Sequence, residues 1–257
     1  MDYRPIGVFD SGLGGASVLR EALKQLPHEN YIYYGDNLHA PYGDKTEEEI
    51  TALTFNCANE LVSCGVKVIL LACNTATATC IRQIREKLEV PVVSVEPAIK
   101  PACASQGTGK VLMMATLATT KLKRYLDLQD RMPDPTRVIN VPCPGLVDRI
   151  ENNVFEDDAF DDLFDCYLSP YHGMEIDGIV LGCTHYVFIG SAIARYAATH
   201  FKGACRLYDG NAATVRQLGR VLADQGLLND TGSAQVEFHT SGNADIYLPV
   251  FESLLHR

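Results

Sequence analysis

Apolar residues recur along this chain in short runs. They fall at residues 6–10, 31–35, 68–72, 92–95, 111–115, 138–141, 179–181, 206–208 and 236–240. Runs of this length predict strands buried on both faces, as in a parallel sheet. Between them the apolar residues recur every three or four positions, which predicts amphipathic helices. Over 16–26, Val18, Leu19, Ala22, Leu23 and Leu26 share one stripe. Over 46–64, an apolar stripe follows Thr46-Glu47-Glu48-Glu49, the spacing of a capping box. Cys80, Ile81, Ile84 and Leu88 align over 77–88, and 211–225 reads as a further helix. Strand and helix in alternation predict an α/β fold with mostly parallel sheets and right-handed crossovers. In such sheets ligands bind beyond the carboxyl ends of the strands.

The residues that follow each run are therefore the ones to inspect. After 6–9 stands Asp10-Ser11-Gly12-Leu13-Gly14-Gly15, and after 68–72 stands Cys73-Asn74-Thr75. After 111–115 comes Thr116, with Thr119 and Thr120 close behind, and after 179–181 comes Gly182-Cys183-Thr184-His185. Two of these stretches rhyme. VKVILLACNT (66–75) and IDGIVLGCTH (176–185) are each an apolar strand, a small residue, a cysteine and then polar groups. The two thiols lie about one domain length apart. This predicts two similar three-layer α/β units with pseudo-symmetry, each with a thiol at a strand tip, and an active site in the cleft between them. Pro97 and Pro101 punctuate the chain near the expected boundary. The pattern alone leaves open whether the last stretch returns to the first unit.

Composition narrows the classes. At 257 residues and 47% hydrophobic, the chain has enough apolar surface for two cores. Lys and Arg number 22 against 32 Asp and Glu, a net charge of −10 with no compensating basic tract, so no nucleic-acid or anionic-membrane partner is expected. The opening MDYRPIGVFD lacks the apolar run of a secretory signal, and no stretch reaches the ~18 apolar residues of a membrane span. A cytoplasmic location is expected. The nine cysteines are an odd number, with no CxxC and no Cys/His quartet, which predicts free thiols in a reducing compartment and no metal site. Cys57, Cys64, Cys80, Cys103, Cys143, Cys166 and Cys205 read as core or surface residues without chemistry. His28, His39, His172, His200, His239 and His256 join no constellation. The acidic run at 156–165 reads as a solvated helix face, with Phe160, Leu163 and Phe164 turned inward.

Cys73 and Cys183 differ from the other thiols in their neighbours. Each sits where a strand hands over to a helix, and helix N-terminal N–H groups favour negative charge there. Asp10, at the end of the first run, and His185, two residues past Cys183, are candidate proton partners. DSGLGG is not GxGxxG and no Walker lysine follows, so no dinucleotide or nucleotide cofactor is expected. Two thiols suit the inversion of a carbon stereocentre, which removes a proton on one face and delivers one on the other. Without a cofactor as electron sink, fixed donors must stabilise the carbanion, and Ser11, Asn74, Thr75 and Thr184 are available. Other readings stand beside this one: a related carbon-acid enzyme such as an aspartate racemase or a single-thiol decarboxylase, and a non-catalytic metal or redox sensor using Cys73, Cys183 and His185.

Four segments together carry a specific resemblance: GVFDSGLGG (7–15), APYG (40–43), ACNTA (72–76) and LGCTHY (181–186). In this order they resemble the glutamate racemases of the aspartate/glutamate racemase superfamily, and TSG (240–242) is similar to that family's C-terminal segment. The resemblance implies a cofactor-independent, two-base interconversion of L- and D-glutamate, the D-isomer feeding bacterial peptidoglycan and so cell-wall biogenesis and cell shape. It implies that Cys73 acts on the D-isomer with Asp10, and Cys183 on the L-isomer with His185. It assigns substrate contacts to Asp10, Ser11, Pro41, Tyr42, Gly43, Asn74, Thr75, Thr184 and His185. Thr116 and Thr119 match the family's A-T-x-x-T stretch, and Glu151 falls where the family carries an acidic residue near the site. It also implies that the first domain, 1–96, is completed by 208–257, with 97–207 forming the second. The expected partner is a small molecule, glutamate, with a homodimer left open. Val187 replaces the family's usual proline after GCTHY, with no chemical consequence expected. The short N-terminal segment lacks the extension of relatives activated by a cell-wall precursor, so no such activation is expected.

Overall fold

The computed structural model describes residues 1–104 and 107–257. The chain divides into two compact units, Met1–Glu96 with Asn211–Arg257, and Pro97–Gly210. Each is built around one wholly parallel sheet.

In the first unit, β1 (Ile6–Asp10), β2 (Tyr31–Gly35), β3 (Val68–Leu71), β4 (Val92–Ser94) and β9 (Val236–Thr240) pair in the order β4-β3-β1-β2-β9. β1 is flanked on both sides, Phe9 opposite Tyr34 of β2 and Leu71 of β3. Its residues are completely buried, which is why the sequence there shows no alternation. On one face, helices Glu47–Ser63 and Asn74–Lys87 close a core of Phe9, Ile69, Leu71, Ile50, Leu61 and Ile81. The first of these helices begins with the expected capping box: Thr46 Oγ1 accepts from Glu49 N at 3.2 Å, and Glu49 Oε2 accepts from Thr46 N at 2.9 Å. The residues after Asn211 supply helix Asn211–Asp224, strand β9 and helix Ala244–His256, whose Phe251 packs 4.5 Å from Tyr33.

In the second unit, β5 (Lys110–Ala115), β6 (Val138–Pro142), β7 (Ile176–Leu181) and β8 (Arg206–Tyr208) pair in the order β6-β5-β7-β8. Ile99, Val111, Met113, Tyr125 and Val180 form part of its core. Both sheets follow one winding: the second strand lies on one side of the first, and the third and fourth lie on the other. Each therefore has one switch point, between β1 and β3 and between β5 and β7, where the crossovers diverge and open a crevice at the strand ends.

Two elements start earlier than their patterns indicate. The helix expected over 77–88 begins at Asn74, because the Cys73 side chain itself caps it, accepting from Ala76 N at 3.4 Å. Strand β7 begins at Ile176, not 179. Asp177 interrupts the apolar run, but it is buried and ion-paired to Arg137 at 2.7 Å, so the strand tolerates it. The acidic run at 156–165 buries Phe160 and Phe164 completely, with Leu163 only partly covered. Its carboxylates are not merely solvated: Asp161 pairs with Arg195, and Asp162 pairs with Arg149 at 2.5 Å. Among the described residues, no helix is long and apolar enough to cross a membrane.

Candidate active site

The strands of a parallel sheet end on one side, so the expected residues are brought together within each unit by topology alone. In the first unit, Asp10 closes β1, and Cys73 follows β3 by way of Ala72, one on each side of the switch point. Asp10 is fully buried, and its Oδ1 accepts from Gly12 N at 2.9 Å. The turn needs glycine: a Cβ on Gly15 would stand 2.7 Å from Asp10 Cβ. Cys73 is buried, and its thiol donates to Ser11 Oγ at 3.4 Å while accepting from Ala76 N. Thr75 is buried beside it in the first turn of the helix. Asn74 is half-buried, and its amide oxygen is enclosed with no hydrogen-bond donor of the described residues against it. That oxygen keeps an acceptor position for a ligand.

Pro41, Tyr42 and Gly43 lie on the loop after β2, where the Ala40–Pro41 peptide is cis. Tyr42 is buried in the core cluster that also holds Cys73. Its hydroxyl donates to Asp36 Oδ2 at 2.6 Å. Burial, and then the Asp36 carboxylate, push the phenol well above its ordinary pKa, so it stays a donor.

In the second unit, Gly182, Cys183, Thr184 and His185 follow β7. Gly182 is required there: a Cβ would stand 2.8 Å from Met114 O and press into the Met113 side chain. Thr184–Ile189 forms a 3-10 turn before helix Gly190–His200. His185 is 3% exposed and stands between two groups. Its Nδ1 lies 3.7 Å from Cys183 Sγ, and its Nε2 lies 2.8 Å from Glu151 Oε1, at the end of helix Leu146–Glu151. Burial alone would lower the imidazole pKa. The Cys183 sulfur and the Glu151 carboxylate outweigh it and hold the pKa well above the ordinary histidine value. The result is a relay from carboxylate to imidazole to sulfur. Across the switch point, Thr116 follows β5, its Oγ1 accepting from Thr119 N at 3.3 Å and lying 3.0 Å from Thr119 Oγ1.

Each unit thus gathers its own share of the expected residues. Two features escaped the sequence reading. The Glu151–His185 link joins residues far apart in the chain, and no local spacing marks it. Asp36, which with Ser241 of the TSG segment fixes Tyr42 and its loop, stands at the strand tip after β2, a position that flagged the other site residues. The expectation that the remaining histidines join no constellation needs correction at His39, His172 and His200. His39 Nδ1 lies 2.8 Å from Asp36 Oδ1. His172 stacks on His200 at 4.3 Å, and with Asp165 these present ligand atoms within 4.8 Å of one another. The Tyr196 hydroxyl joins them, donating to Asp165 Oδ1 at 2.7 Å and lying 2.9 Å from His172 Nε2. None of the nine cysteines forms a disulfide among the described residues. Cys57 and Cys143 are pushed upward chiefly by burial, and Cys80 likewise to about 11, as expected of inert core thiols.

The family model for Asp/Glu/Hydantoin racemase matches residues 6–218. A glutamate racemase of Clostridium perfringens is 43% identical over 244 residues, covering 95% of this chain and 90% of the relative. Among solved structures, glutamate racemase from Francisella tularensis in complex with D-glutamate superposes with a TM-score of 0.86 at 29% identity, covering 100% of this chain and 95% of that one. The Escherichia coli glutamate racemase in complex with L-glutamate and the activator UDP-MurNAc-ala gives 0.83 at 29% identity, covering 98% and 95%. With these matches spanning both units and all four motifs, the chain belongs to the Asp/Glu/hydantoin racemase family, among its glutamate racemases.

Proposed function

We propose that the protein interconverts L- and D-glutamate without a cofactor, by proton transfer at Cα between two thiols. The observation that carries this reading is a repetition with a difference. Two units of one winding place a buried cysteine after the third strand, beside the switch point, and each cysteine has its own proton-handling neighbours. Relatives of the same fold hold D-glutamate and L-glutamate, which supports the substrate.

In the L-to-D direction, the Cys183 thiolate takes the Cα proton and the Cys73 thiol delivers one to the opposite face. In the reverse direction the roles exchange, so no net proton is consumed. His185 stands where it can take and return the Cys183 proton, and Glu151 fixes the ring. Asp10, at the adjoining strand tip, takes and returns the Cys73 proton. The developing carbanion is stabilised by fixed neutral donors, with Ser11, Thr75 and Thr184 among them. The acceptor oxygen of Asn74 suits the substrate ammonium, while Pro41, Tyr42, Gly43, Thr116 and Thr119 complete the contacts to its carboxylates. Cysteines outside disulfides fit a reducing cytoplasm, where D-glutamate would supply peptidoglycan synthesis.

The test is incubation with L-glutamate in deuterated water with no added cofactor. Deuterium is expected at Cα of the D-product. Folded protein that neither racemises nor exchanges either enantiomer would reject the reading.

A further inference from the structure

The tip of β2 carries a buried cluster that the proton transfer does not use. Asp36 follows the last residue of β2 and is 1% exposed. Its Oδ2 accepts from the Tyr42 hydroxyl at 2.6 Å. Its Oδ1 accepts from the Ser241 hydroxyl at 2.6 Å and lies 2.8 Å from His39 Nδ1. Ser241 in turn accepts from Leu38 N at 3.1 Å and donates its own N–H to Gly35 O at 3.1 Å. Beside it, the Thr240 hydroxyl donates to Asn37 Oδ1 at 2.9 Å. One carboxylate therefore fastens the 37–43 loop to the tip of β9.

A buried carboxylate is a costly way to join two strand tips. Ladder hydrogen bonds already join β2 to β9 over five residue pairs, Tyr31 with Val236 through Gly35 with Thr240. What those bonds do not fix is the loop that follows. Tyr42 is held twice, its ring 6.3 Å from Phe9 in the core and its hydroxyl on Asp36. With both ends fixed, the 3-10 turn Tyr42–Asp44 has one orientation, and so does the Gly43 N–H. Charge-assisted, short hydrogen bonds are suited to that kind of directional restraint.

We propose that Asp36 is a positioning residue for substrate. It acts through Tyr42 to set the Tyr42–Gly43 backbone that receives a substrate carboxylate, and Ser241 brings the segment after β9 into the same assembly. This rests on the glutamate reading above and adds to it a residue that touches no substrate. Its signature is a loss of binding without a loss of proton transfer, because neither thiol nor either of their proton partners is disturbed.

The experiment is a double-mutant cycle on steady-state racemisation, with Tyr42→Phe, Asp36→Ala and the two combined. Each single change is expected to raise KM about tenfold, the scale of a hydrogen bond to a charged group, with kcat held within about twofold. The combined variant is expected to match Asp36→Ala, since that change already removes the acceptor of the Tyr42 hydroxyl. Asp36→Asn, which retains an acceptor oxygen, is expected to restore much of the KM. Additive effects in the cycle, or a Tyr42→Phe variant with unchanged KM, would overturn the proposal. Tyr42→Phe removes one oxygen from a packed ring, so it answers the question even where Asp36→Ala lowers the yield of folded protein. An inert wild type would instead defeat the underlying reading, and wild-type activity measured first separates the two failures.

Discussion

The two thiol-bearing strand tips share a backbone and differ in their acid–base equipment. Cys73 and Cys183 each follow the third strand of a sheet wound in the same order. The partners proposed for them come from places that the winding does not relate. Asp10 belongs to the first strand of its sheet, whereas His185 lies two residues past its own thiol, where the other unit has Thr75. His185 is backed by Glu151 from a helix that follows the second strand. The residue before each thiol also differs: Ala72 on one side, Gly182 on the other. Topology fixes where a thiol can stand, and side-chain chemistry decides how it is charged. A racemase needs that separation, since its two bases meet mirror-related protons on a substrate that is not itself symmetric.

The largest expected effect breaks the pair. Cys73→Ser or Cys183→Ser should lower kcat for racemisation on the order of 10³-fold or more. Each variant should still exchange the Cα proton of one enantiomer, Cys183→Ser the D-isomer and Cys73→Ser the L-isomer, read by proton NMR in deuterated water. Equal loss of exchange for both enantiomers would erase the assigned division of labour. Next come the partners. His185→Asn and Asp10→Asn should each reduce kcat about 10²-fold, with the isotope effect on Cα–H larger from the L side in the first and from the D side in the second. A third contrast concerns stability. Gly182→Ala should destabilise by about 1–3 kcal/mol through overpacking against Met113 and the Met114 carbonyl, seen in the denaturant midpoint. Ala72→Gly, its counterpart, should cost only about 0.5–1 kcal/mol in backbone entropy.

The smallest effect lies in a pH window. The His185 pKa is raised in the folded protein above its ordinary 6.5, so protonation stabilises the fold. That contribution is complete below pH 6.5 and is lost as pH rises through the folded value. The stability gap between wild type and His185→Asn should therefore narrow toward alkaline pH, measured by denaturant titration across the range. A gap that widens instead would mean the imidazole is neutral beside Cys183.

Much of this was legible in the chain because parallel strands buried on both faces leave short apolar runs, and because ligand chemistry collects at their ends. The capping box at Thr46 and Glu49 needs only a spacing of three, so it was readable too. What escaped depends on tertiary pairing. Asp177 hides the first turn of β7 because only its buried partner Arg137 makes it tolerable. The Asn74 start of its helix was masked because a thiol took the capping place usually held by an oxygen. The Glu151–His185 and Asp36–Ser241 contacts join segments whose separation no local pattern can span.

Strand β9 carries a consequence for biosynthesis. It pairs with β2, yet it is translated only after the whole of Pro97–Gly210 has emerged. The inserted unit can close its own sheet while the earlier strands still wait for their edge. Until that last strand docks, β2 presents an unsatisfied row of N–H and C=O groups to any neighbouring chain. Slow elongation or premature termination downstream of Gly210 would prolong that vulnerable interval, so aggregation of nascent chains should track the delay in producing β9.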